Sequence, residues 1–357
     1  MFNFWQRLEW RLFLPPVVIG ILSAATVFSV APSLFGRQLL YLLLGVVLYW
    51  AAAFFNLGFL KKYGWWFYVL TVLSLGAVLL FGTLVRGSRR WFDLFDFRLQ
   101  PSEIAKLILA FFYACFWSHL SVKWKLPNWA KFFISLLFLI PCLVLVFLEP
   151  DLGTSIILIA SWLPSFFSSG VSKKFLFLFV TVCLGLSISL YQFLLKDYQR
   201  QRLVSFIYQQ QDPLGVGYQM RQSIIAVGSG GWLGKGYGFG TQSHLLFLPD
   251  HHTDFIFASF AEEWGLLGSF FLLGIFVLLF YSLAGVAARS DDPFSAYLCA
   301  SVFCLLLLQS IINIGMNLGL VPVVGLPLPL FSYGGSSLIS SFIMLGLAQG
   351  VALSSKV

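Results

Sequence analysis

An aspartate at the start of a long apolar segment is the residue most suited to chemistry in this sequence. Asp254 follows two histidines in the stretch LPDHHTDFIFASFAEEWGLLGS, and several phenylalanines come directly after it. A carboxylate here could act as a general base that takes a proton from an attacking hydroxyl group. It could also cap the helix that the apolar residues predict, because Asp is a favoured N-cap residue. The sequence alone leaves both interpretations open.

Other ionisable residues of the same stretch could bind a metal or face a buried polar cavity. His251, His252 and Asp254 are possible ligands, but no second ligand group at standard spacing accompanies them, so we predict no dedicated metal site. Glu262 and Glu263 lie two turns into the apolar segment, where an unpaired charge is costly. We expect at least one of these glutamates to face a polar cavity.

A second pair of opposite charges lies at the start of an earlier apolar segment. Glu103 and Lys106, in the stretch QPSEIAK, are three residues apart, so that they can meet on one face of a helix. They could form a structural ion pair or contact a substrate, and the spacing fits both.

The elements that must position these residues are membrane-spanning helices. Of the 357 residues, 59% are hydrophobic and only 10% are charged, whereas a soluble domain has about 25% charged residues. Most of the charge-free stretches reach the roughly 20 residues that a spanning helix needs. They are 12–36, 38–60, 63–85, 107–122, 132–148, 152–172, 175–195 and 264–288, and the uncharged stretch 293–355, divided by prolines and glycines, supplies two more. The fold class predicted is an all-α polytopic membrane protein with ten spans in one membrane domain, 1–357.

The distribution of basic residues predicts the orientation of the chain. With ten spans, both termini lie on one side, and short basic loops place that side in the cytoplasm. The opposite side nevertheless carries many cations, which indicates an anionic ligand there. They are Arg86, Arg89, Arg90, Arg98, Lys196, Arg200, Arg202, Arg221 and Lys235.

The connection 196–254, between spans seven and eight, is much longer than the usual 4 to 6 residues or so, and we expect it to be a functional extracytoplasmic loop. Within it, Phe206 and Ile224 belong to two short amphipathic stretches that are typical of interfacial helices. The glycine-rich run GSGGWLGKGYGFG does not have the spacing of a nucleotide-binding loop. We expect no nucleic-acid partner.

Six motifs in order resemble the SEDS family of shape, elongation, division and sporulation proteins, over essentially the whole chain. They are RGSRRWF, QPSEIAK, EPDLGTS, GSGGWLGKG, the stretch around HTDF, and GLVPVVGLPLPLFSYGGSS. The residues GTQS and VPVVGLPLPL are similar to the elongation branch of the family rather than the division branch. Two positions depart from the family pattern, since Asp250 stands in LPD instead of LPE, and Glu149 stands in EPDLGT instead of QPDLGT.

The resemblance implies a peptidoglycan glycosyltransferase that polymerises lipid II into glycan strands on the outer face of the bacterial cytoplasmic membrane. It implies Asp254 as the catalytic base and a class B penicillin-binding protein, a transpeptidase, as partner within an elongation complex. The residues expected to bind substrate are Arg90, Trp91, Glu103, Lys106, Asp151, Arg200, Arg202, Lys235, Ser332 and Tyr333. Because a diphosphate leaves without being protonated, one carboxylate suffices, and arginines or a divalent cation such as Mg²⁺ or Mn²⁺ would stabilise the departing charge.

Two other function classes stay open. A transporter or flippase for lipid-linked sugars would place its ionisable groups near the middle of the bilayer and expose them to both faces in turn. A non-catalytic scaffold of a cell-wall complex would tolerate the loss of Asp254. The candidate residues here cluster at the outer face instead, which favours the glycosyltransferase.

The orientation can be tested by labelling. Because short basic loops mark the cytoplasmic side, a single cysteine at Gln210 or Gln242, in a background without the five native cysteines, should react with an impermeant maleimide on intact spheroplasts. Labelling that requires permeabilisation would reverse the predicted orientation of the whole chain.

Overall fold

The fold is a bundle of long apolar helices with a small sheet at one end. The computed structural model describes residues 8–85, 88–94, 97–120, 123, 125–168, 177, 181, 200, 202, 204–206 and 216–354. The helices are α1 Trp10–Val30, α2 Phe35–Ala53, α3 Leu57–Phe81, α4 Pro101–Cys115, α5 Asn128–Leu148, α6 Leu152–Ser168, α7 Val216–Ser229, α8 Thr241–His244, α9 Ile256–Arg289, α10 Pro293–Asn317 and α11 Gly335–Ser354. The strands are β1 Thr83–Val85, β2 Ser88–Leu94 and β3 Phe97–Leu99.

Seven helices of the described residues are long and apolar enough to cross a membrane: α1, α2, α3, α5, α9, α10 and α11. The chain is therefore a multi-pass membrane protein, as its composition predicts. The sixth predicted span corresponds to the shorter helix α6, and the fourth begins earlier than predicted, with α4 at Pro101. The seventh predicted span, 175–195, lies outside the described residues except for 177 and 181.

The structure adds a feature that a purely helical fold lacks. Strands β1, β2 and β3 form an antiparallel sheet in sequence order, between α3 and α4. The structure is consistent with the predicted all-α polytopic membrane protein, but the prediction did not include this small sheet. The strands are too short and too rich in arginine and phenylalanine to show a clear alternation, so the sequence gives a weak signal for them.

The two ends of the bundle differ in their ion pairs. At one end, Lys61 Nζ lies 2.6 Å from Asp292 Oδ2, and Arg289 Nη2 lies 3.5 Å from Glu9 Oε2, which brings together the starts of α1, α3 and α10 with the end of α9. The turn that contains Asp254 precedes α9, and therefore lies toward the opposite end. The core between the ends contains α2 packed against α11, and α10 packed against α4, α6 and α9.

Helix α9 is broken near its start by the glycine-rich loop. Gly265 has a φ of 67° and a ψ of −164° within the 34-residue helix. The freed amides of Leu266 and Leu267 donate to the carbonyl oxygens of Gly231 and Trp232, at 2.9 and 3.1 Å. In the other direction, the amide of Lys235 donates to the Glu262 carbonyl oxygen at 2.9 Å. The loop thus satisfies backbone groups that a helix break would leave without partners.

The break at Gly265 generates a stability prediction. A Cβ at this position would lie 2.2 Å from the Gly234 amide nitrogen, and the positive φ is unfavourable for any other residue. Gly265→Ala should therefore lower the stability of the protein in detergent by about 2 kcal/mol or more, measured from thermal or denaturant unfolding.

The matched control is Gly274→Ala in the same helix, where a Cβ would meet no atom within 4 Å. This variant should be neutral or slightly more stable, because alanine favours a helix more than glycine does. Equal stability of the two variants would show that the break in α9 does not contribute to folding.

Candidate functional site

Asp254 lies in a turn between the glycine-rich loop and α9, and its side chain is partly exposed. The N-cap residue of α9 is Phe255, which has no side-chain cap hydrogen bond. The amide of Ala258, in the first turn, is instead bound by Asn317 Oδ1 at 3.0 Å. Asp254 is therefore not the N-cap residue of α9.

The backbone of this turn is held by amide side chains from α10. Asn313 Nδ2 and Asn317 Nδ2 donate to the carbonyl oxygen of Asp254, at 3.0 and 3.1 Å. One turn earlier in α10, Gln309 Nε2 donates to the carbonyl oxygen of Pro327 at 2.8 Å. Asn313 also donates to the Leu326 carbonyl oxygen, at 2.6 Å. We call Gln309, Asn313 and Asn317 the amide ladder. All three side chains are buried.

A second set of bonds joins the turn to the SYGGSS motif. Ser332 Oγ donates to the Thr253 carbonyl oxygen at 2.6 Å, and the Tyr333 amide donates to the His252 carbonyl oxygen at 3.0 Å. The rings of His252 and Tyr333 meet edge to face, with centroids 5.8 Å apart. The predicted residues Ser332 and Tyr333 thus contact the turn directly, through its two residues before Asp254.

Asp254 and Arg202 border the same glycine. A Cβ at Gly325 would lie 3.4 Å from Asp254 Oδ2 and 3.7 Å from Arg202 Nη1. Gly325 has a φ of +73°, a conformation that favours glycine, and it belongs to the segment 321–331 that the amide ladder holds. The structure therefore brings together the predicted base and one predicted anion-binding arginine. Arg200, two residues earlier, is half-buried.

The EPDLGT motif forms the adjacent corner, between α5 and α6. Asp151 accepts bonds from the Thr154 amide at 3.0 Å and from Gln100 Nε2 at 3.2 Å, and so caps α6. Gly153 lies against the segment 321–331, where a Cβ would be 2.9 Å from the Val324 carbonyl oxygen. The corner thus packs directly behind the residues that border Asp254.

Arg90 is bound to this corner. Its Nε donates to the Glu149 carbonyl oxygen at 2.7 Å, one Nη donates to the Pro150 carbonyl oxygen, and the other Nη lies 3.7 Å from Asp151 Oδ2. Three of its nitrogens therefore already have protein partners. Trp91, the next residue of β2, pairs with Thr83 of β1, whose Oγ1 donates to the Trp91 carbonyl oxygen at 3.1 Å.

Glu149 is the carboxylate in which the sequence departs from the family pattern. Its side chain is fully buried, and within the described part of the chain neither carboxylate oxygen has a hydrogen-bond partner. Burial, with a smaller contribution from the nearby charge of Asp151, raises the pKa of Glu149 to about 9, although Arg90 opposes the shift. At neutral pH the side chain is therefore uncharged, as a glutamine at this position would be.

Glu103 and Lys106 form a buried ion pair. Lys106 Nζ lies 2.6 Å from Glu103 Oε2, and it also donates to Gln309 Oε1 at 3.1 Å. Both side chains are almost fully buried, which favours the structural interpretation over a substrate contact. Through Gln309, the pair supports the amide ladder and hence the segment next to Asp254.

Lys235 is paired with Glu262. Its Nζ lies 2.7 Å from Glu262 Oε1, which also accepts from Thr241 Oγ1 at 3.1 Å. Glu263 Oε1 accepts from Ser29 Oγ at 2.5 Å and lies 3.1 Å from His244 Nε2. A polar cavity was expected beside at least one of these glutamates; in the structure both instead contact polar side chains of the glycine-rich loop, α8 and α1.

The described residues contain no group of three or more His, Cys, Asp or Glu side chains that could hold a metal ion. Any such ion at Asp254 would need most of its oxygen ligands from substrate and water.

The residues that position Asp254 were not among those predicted from the sequence. The amide ladder has a visible signal, because Gln309, Asn313 and Asn317 recur every four residues in an otherwise apolar helix and so share one face. Polar side chains on a membrane helix usually face the protein interior. The spacing was thus sufficient to place them on one buried face, but not to identify their backbone partners.

The buried Glu149 generates a prediction on pH dependence. Its pKa rises from the ordinary 4.5 to about 9 on folding, so that the unfolded chain loses this proton while the folded chain keeps it. The stability contributed by the protonated side chain is complete below about pH 4.5 and declines as the pH rises to about 9, by at most roughly 1.4 kcal/mol per pH unit. Glu149→Gln should remove this decline.

The measurement is thermal unfolding in detergent between pH 5 and 9. The advantage of Glu149→Gln over the natural chain should grow with pH, whereas Asp93→Asn, which removes an exposed carboxylate, should give a curve parallel to the natural one. A constant difference between Glu149→Gln and the natural chain would show that Glu149 is ionised in the folded state.

Comparisons with known proteins agree with the arrangement of motifs. The family model described as cell cycle protein, for FtsW, RodA and SpoVE, matches residues 7–357. The chain is 41% identical over 290 residues to the peptidoglycan glycosyltransferase MrdB of Escherichia coli K12, covering 81% of this chain and 78% of the relative. It is 37% identical over 355 residues to a relative named FtsW from Nitrosococcus halophilus, covering 95% and 89%.

Solved structures give the same result for the fold. A chain of a peptidoglycan synthase complex superposes with a TM-score of 0.82 at 29% identity, over 97% of both chains. The rod shape determining protein RodA of Thermus thermophilus superposes with a TM-score of 0.72 at 28% identity, over 97% of this chain and 96% of that one. The chain belongs to the cell cycle protein family of FtsW, RodA and SpoVE, which is the SEDS family that its motifs resemble.

Proposed function

We propose that this chain is a peptidoglycan glycosyltransferase that polymerises lipid II into glycan strands on the outer face of the bacterial cytoplasmic membrane, during cell elongation. Peptidoglycan glycosyltransferase is the activity named for the MrdB relatives. The observation that carries the proposal is the arrangement at Gly325, where the Asp254 carboxylate and the Arg202 guanidinium border one glycine. A base and a cation next to each other are the two groups that this reaction needs.

The proposed chemistry assigns the proton to Asp254. A sugar hydroxyl of one lipid-linked chain attacks the anomeric carbon of another, the bond to the lipid diphosphate breaks, and the hydroxyl proton passes to the carboxylate. Direct displacement of this kind inverts the anomeric centre. The amide ladder and Ser332 fix the backbone on both sides of the Asp254 side chain, so that the base is held in place before substrate binds.

The leaving diphosphate is assigned to Arg202, with Arg200 close by in sequence. A guanidinium can bind phosphate oxygens with two parallel bonds, which stabilises the charge that develops as the glycosidic bond breaks. Arg90 and Lys235 are given positioning roles instead, because Arg90 binds the EPDLGT corner and Lys235 binds Glu262. Asp151, Trp91 and Tyr333 are proposed as the wall of the site rather than as reacting groups.

A divalent cation enters the proposal only as a companion of the substrate. Mg²⁺ is usually bound by one or two carboxylates together with substrate phosphates, and Asp254 with a diphosphate would meet that requirement. When bound, such an ion would supply further positive charge to the leaving group.

The proposed membrane orientation rests on the positions of the basic loops, and the proposed partner rests on the family. Ten spans with both termini in the cytoplasm would place the turn at Asp254 and the loop 196–254 outside, where a lipid-anchored substrate is accessible. A class B penicillin-binding protein is the proposed transpeptidase partner. A similar chain occurs in a peptidoglycan synthase complex, which supports assembly with other cell-wall proteins.

The proposal predicts the behaviour of Asp254→Asn. The variant keeps the size of the side chain and the backbone bonds of the turn, but loses most of the basicity. It should unfold at nearly the natural temperature, still bind labelled lipid II in liposomes, and lose about 10²-fold or more in glycan polymer formed.

The matched control is Asp250→Asn, which removes the same charge four residues earlier. Asn tolerates the positive φ of 50° at this position, so polymerisation should stay close to normal. Polymer formed at the natural rate by Asp254→Asn would exclude Asp254 as the base. In the same liposomes, lipid II that crosses the bilayer without forming polymer would favour a flippase, and no change in the substrate would favour a scaffold.

A further inference from the structure

The glycine-rich loop and the residues after it expose a set of large apolar side chains. Trp232, Leu233, Phe239, Leu245 and Leu246 are between 62% and 77% exposed. We call these five residues the outer patch. Such a set on one short segment is larger than a surface loop in water normally carries, so it indicates a contact with something apolar.

The basic side chains of the same segment are paired with buried glutamates. Between 231 and 247, Lys235 and His244 are the only residues with a basic or acidic side chain apart from the phenol of Tyr237. Lys235 Nζ lies 2.7 Å from the fully buried Glu262, and His244 Nε2 lies 3.1 Å from the fully buried Glu263. The charges of the segment are therefore paired with buried carboxylates, while the side chains of Lys235 and His244 stay partly exposed.

Several backbone groups of the segment are also paired within the protein. The amides of Gly234, Lys235 and Gly236 donate to carbonyl oxygens of the loop or of α9, at 2.8 to 3.1 Å. The carbonyl oxygens of Gly231 and Trp232 accept from α9. Irregular backbone tolerates an apolar medium only when its polar groups are paired in this way.

Bonds to α9 fix the depth of the loop relative to the membrane. The Trp232 carbonyl oxygen accepts from the Leu267 amide, and Leu267 lies roughly 33 Å along the helix from Arg289, at about 1.5 Å per residue. A bilayer core is about 30 Å thick. With Arg289 at the inner headgroups, Trp232 lies at the outer boundary of the hydrocarbon.

At Trp232 the outer patch adjoins an exposed apolar side of α9. Leu267, Phe270 and Phe271, directly below the loop, are 55% to 59% exposed on a helix that spans the membrane. Tyr237, beside the patch, donates through its hydroxyl to the Ala25 carbonyl oxygen near the outer end of α1. Tryptophan and tyrosine are enriched at this level of membrane proteins.

We propose that the outer patch inserts into the outer interface of the bilayer, with Trp232 and Leu233 in contact with acyl chains. A water-soluble partner fits less well, because the bonds to Leu266 and Leu267 place the tip of the loop at the depth of lipid. The same segment leads through α8 to the turn at Asp254, so that insertion would fix the height of that turn above the hydrocarbon. The inference does not depend on the chemistry assigned to Asp254.

The test measures the depth of single labels in nanodiscs. Leu233→Cys and Leu246→Cys, in a background without the native cysteines, are labelled with the environment-sensitive fluorophore NBD. Phe271→Cys serves as the lipid-facing control, and Arg89→Cys, on the exposed side of β2, serves as the aqueous control. Quenching is compared between lipids spin-labelled near the headgroup or on the acyl chain and iodide in the buffer.

Insertion predicts blue-shifted emission at both loop positions, strong quenching by the spin-labelled lipids and weak quenching by iodide, as at Phe271. Iodide quenching at Leu233 equal to that at Arg89 would overturn the proposal, because the patch would then face water. Labels protected from both quenchers would overturn it as well, since the patch would then be covered by a second copy of the chain.

Discussion

Three amide side chains on one face of α10 hold the site together. Gln309, Asn313 and Asn317 bind the backbone of the segment 321–331 and of the turn at Asp254, two irregular stretches that a membrane protein can keep only if their polar groups are paired inside it. The helix provides a rigid spacing between the side chains. The distance between the two irregular stretches is therefore set by the pitch of α10, and the predicted base and Gly325 come into contact as a result.

The buried charged side chains also help to position the irregular segments. Glu103 and Lys106 bind each other and reach Gln309. Glu262 binds Lys235 of the glycine-rich loop, while Glu263 binds Ser29 of α1 and His244 of α8. An ion pair in an apolar interior contributes little net stability, yet the loss of one partner is costly, so such pairs enforce one arrangement. In this protein the charges connect loops to spanning helices, which favours one arrangement of these irregular segments.

Sequence patterns predicted the seven long apolar helices of the described residues, because a long apolar run in a charge-poor chain has few alternatives to a membrane helix. Asp254 could be singled out because its type and position are informative, and Ser332 and Tyr333 followed from the family motif. The roles of Arg90 and Lys235 could not be inferred. Cations on the outer side suggest an external anion, whereas their partners, the EPDLGT corner and Glu262, are distant in sequence and are evident only in the fold. The break at Gly265 could not be predicted either, because an apolar run does not show at which residue the helical hydrogen bonds are interrupted.

The hydrogen bonds and ion pair of Arg90 limit insertions and deletions in this part of the chain. Arg90 projects from β2 and binds three consecutive residues, 149–151, at the join of α5 and α6. Neighbouring residues of a strand point to opposite faces, so one residue inserted or deleted before Arg90 within β2 would turn the guanidinium away from that join. The strand segment is thus expected to keep its length among related chains even where its residues vary.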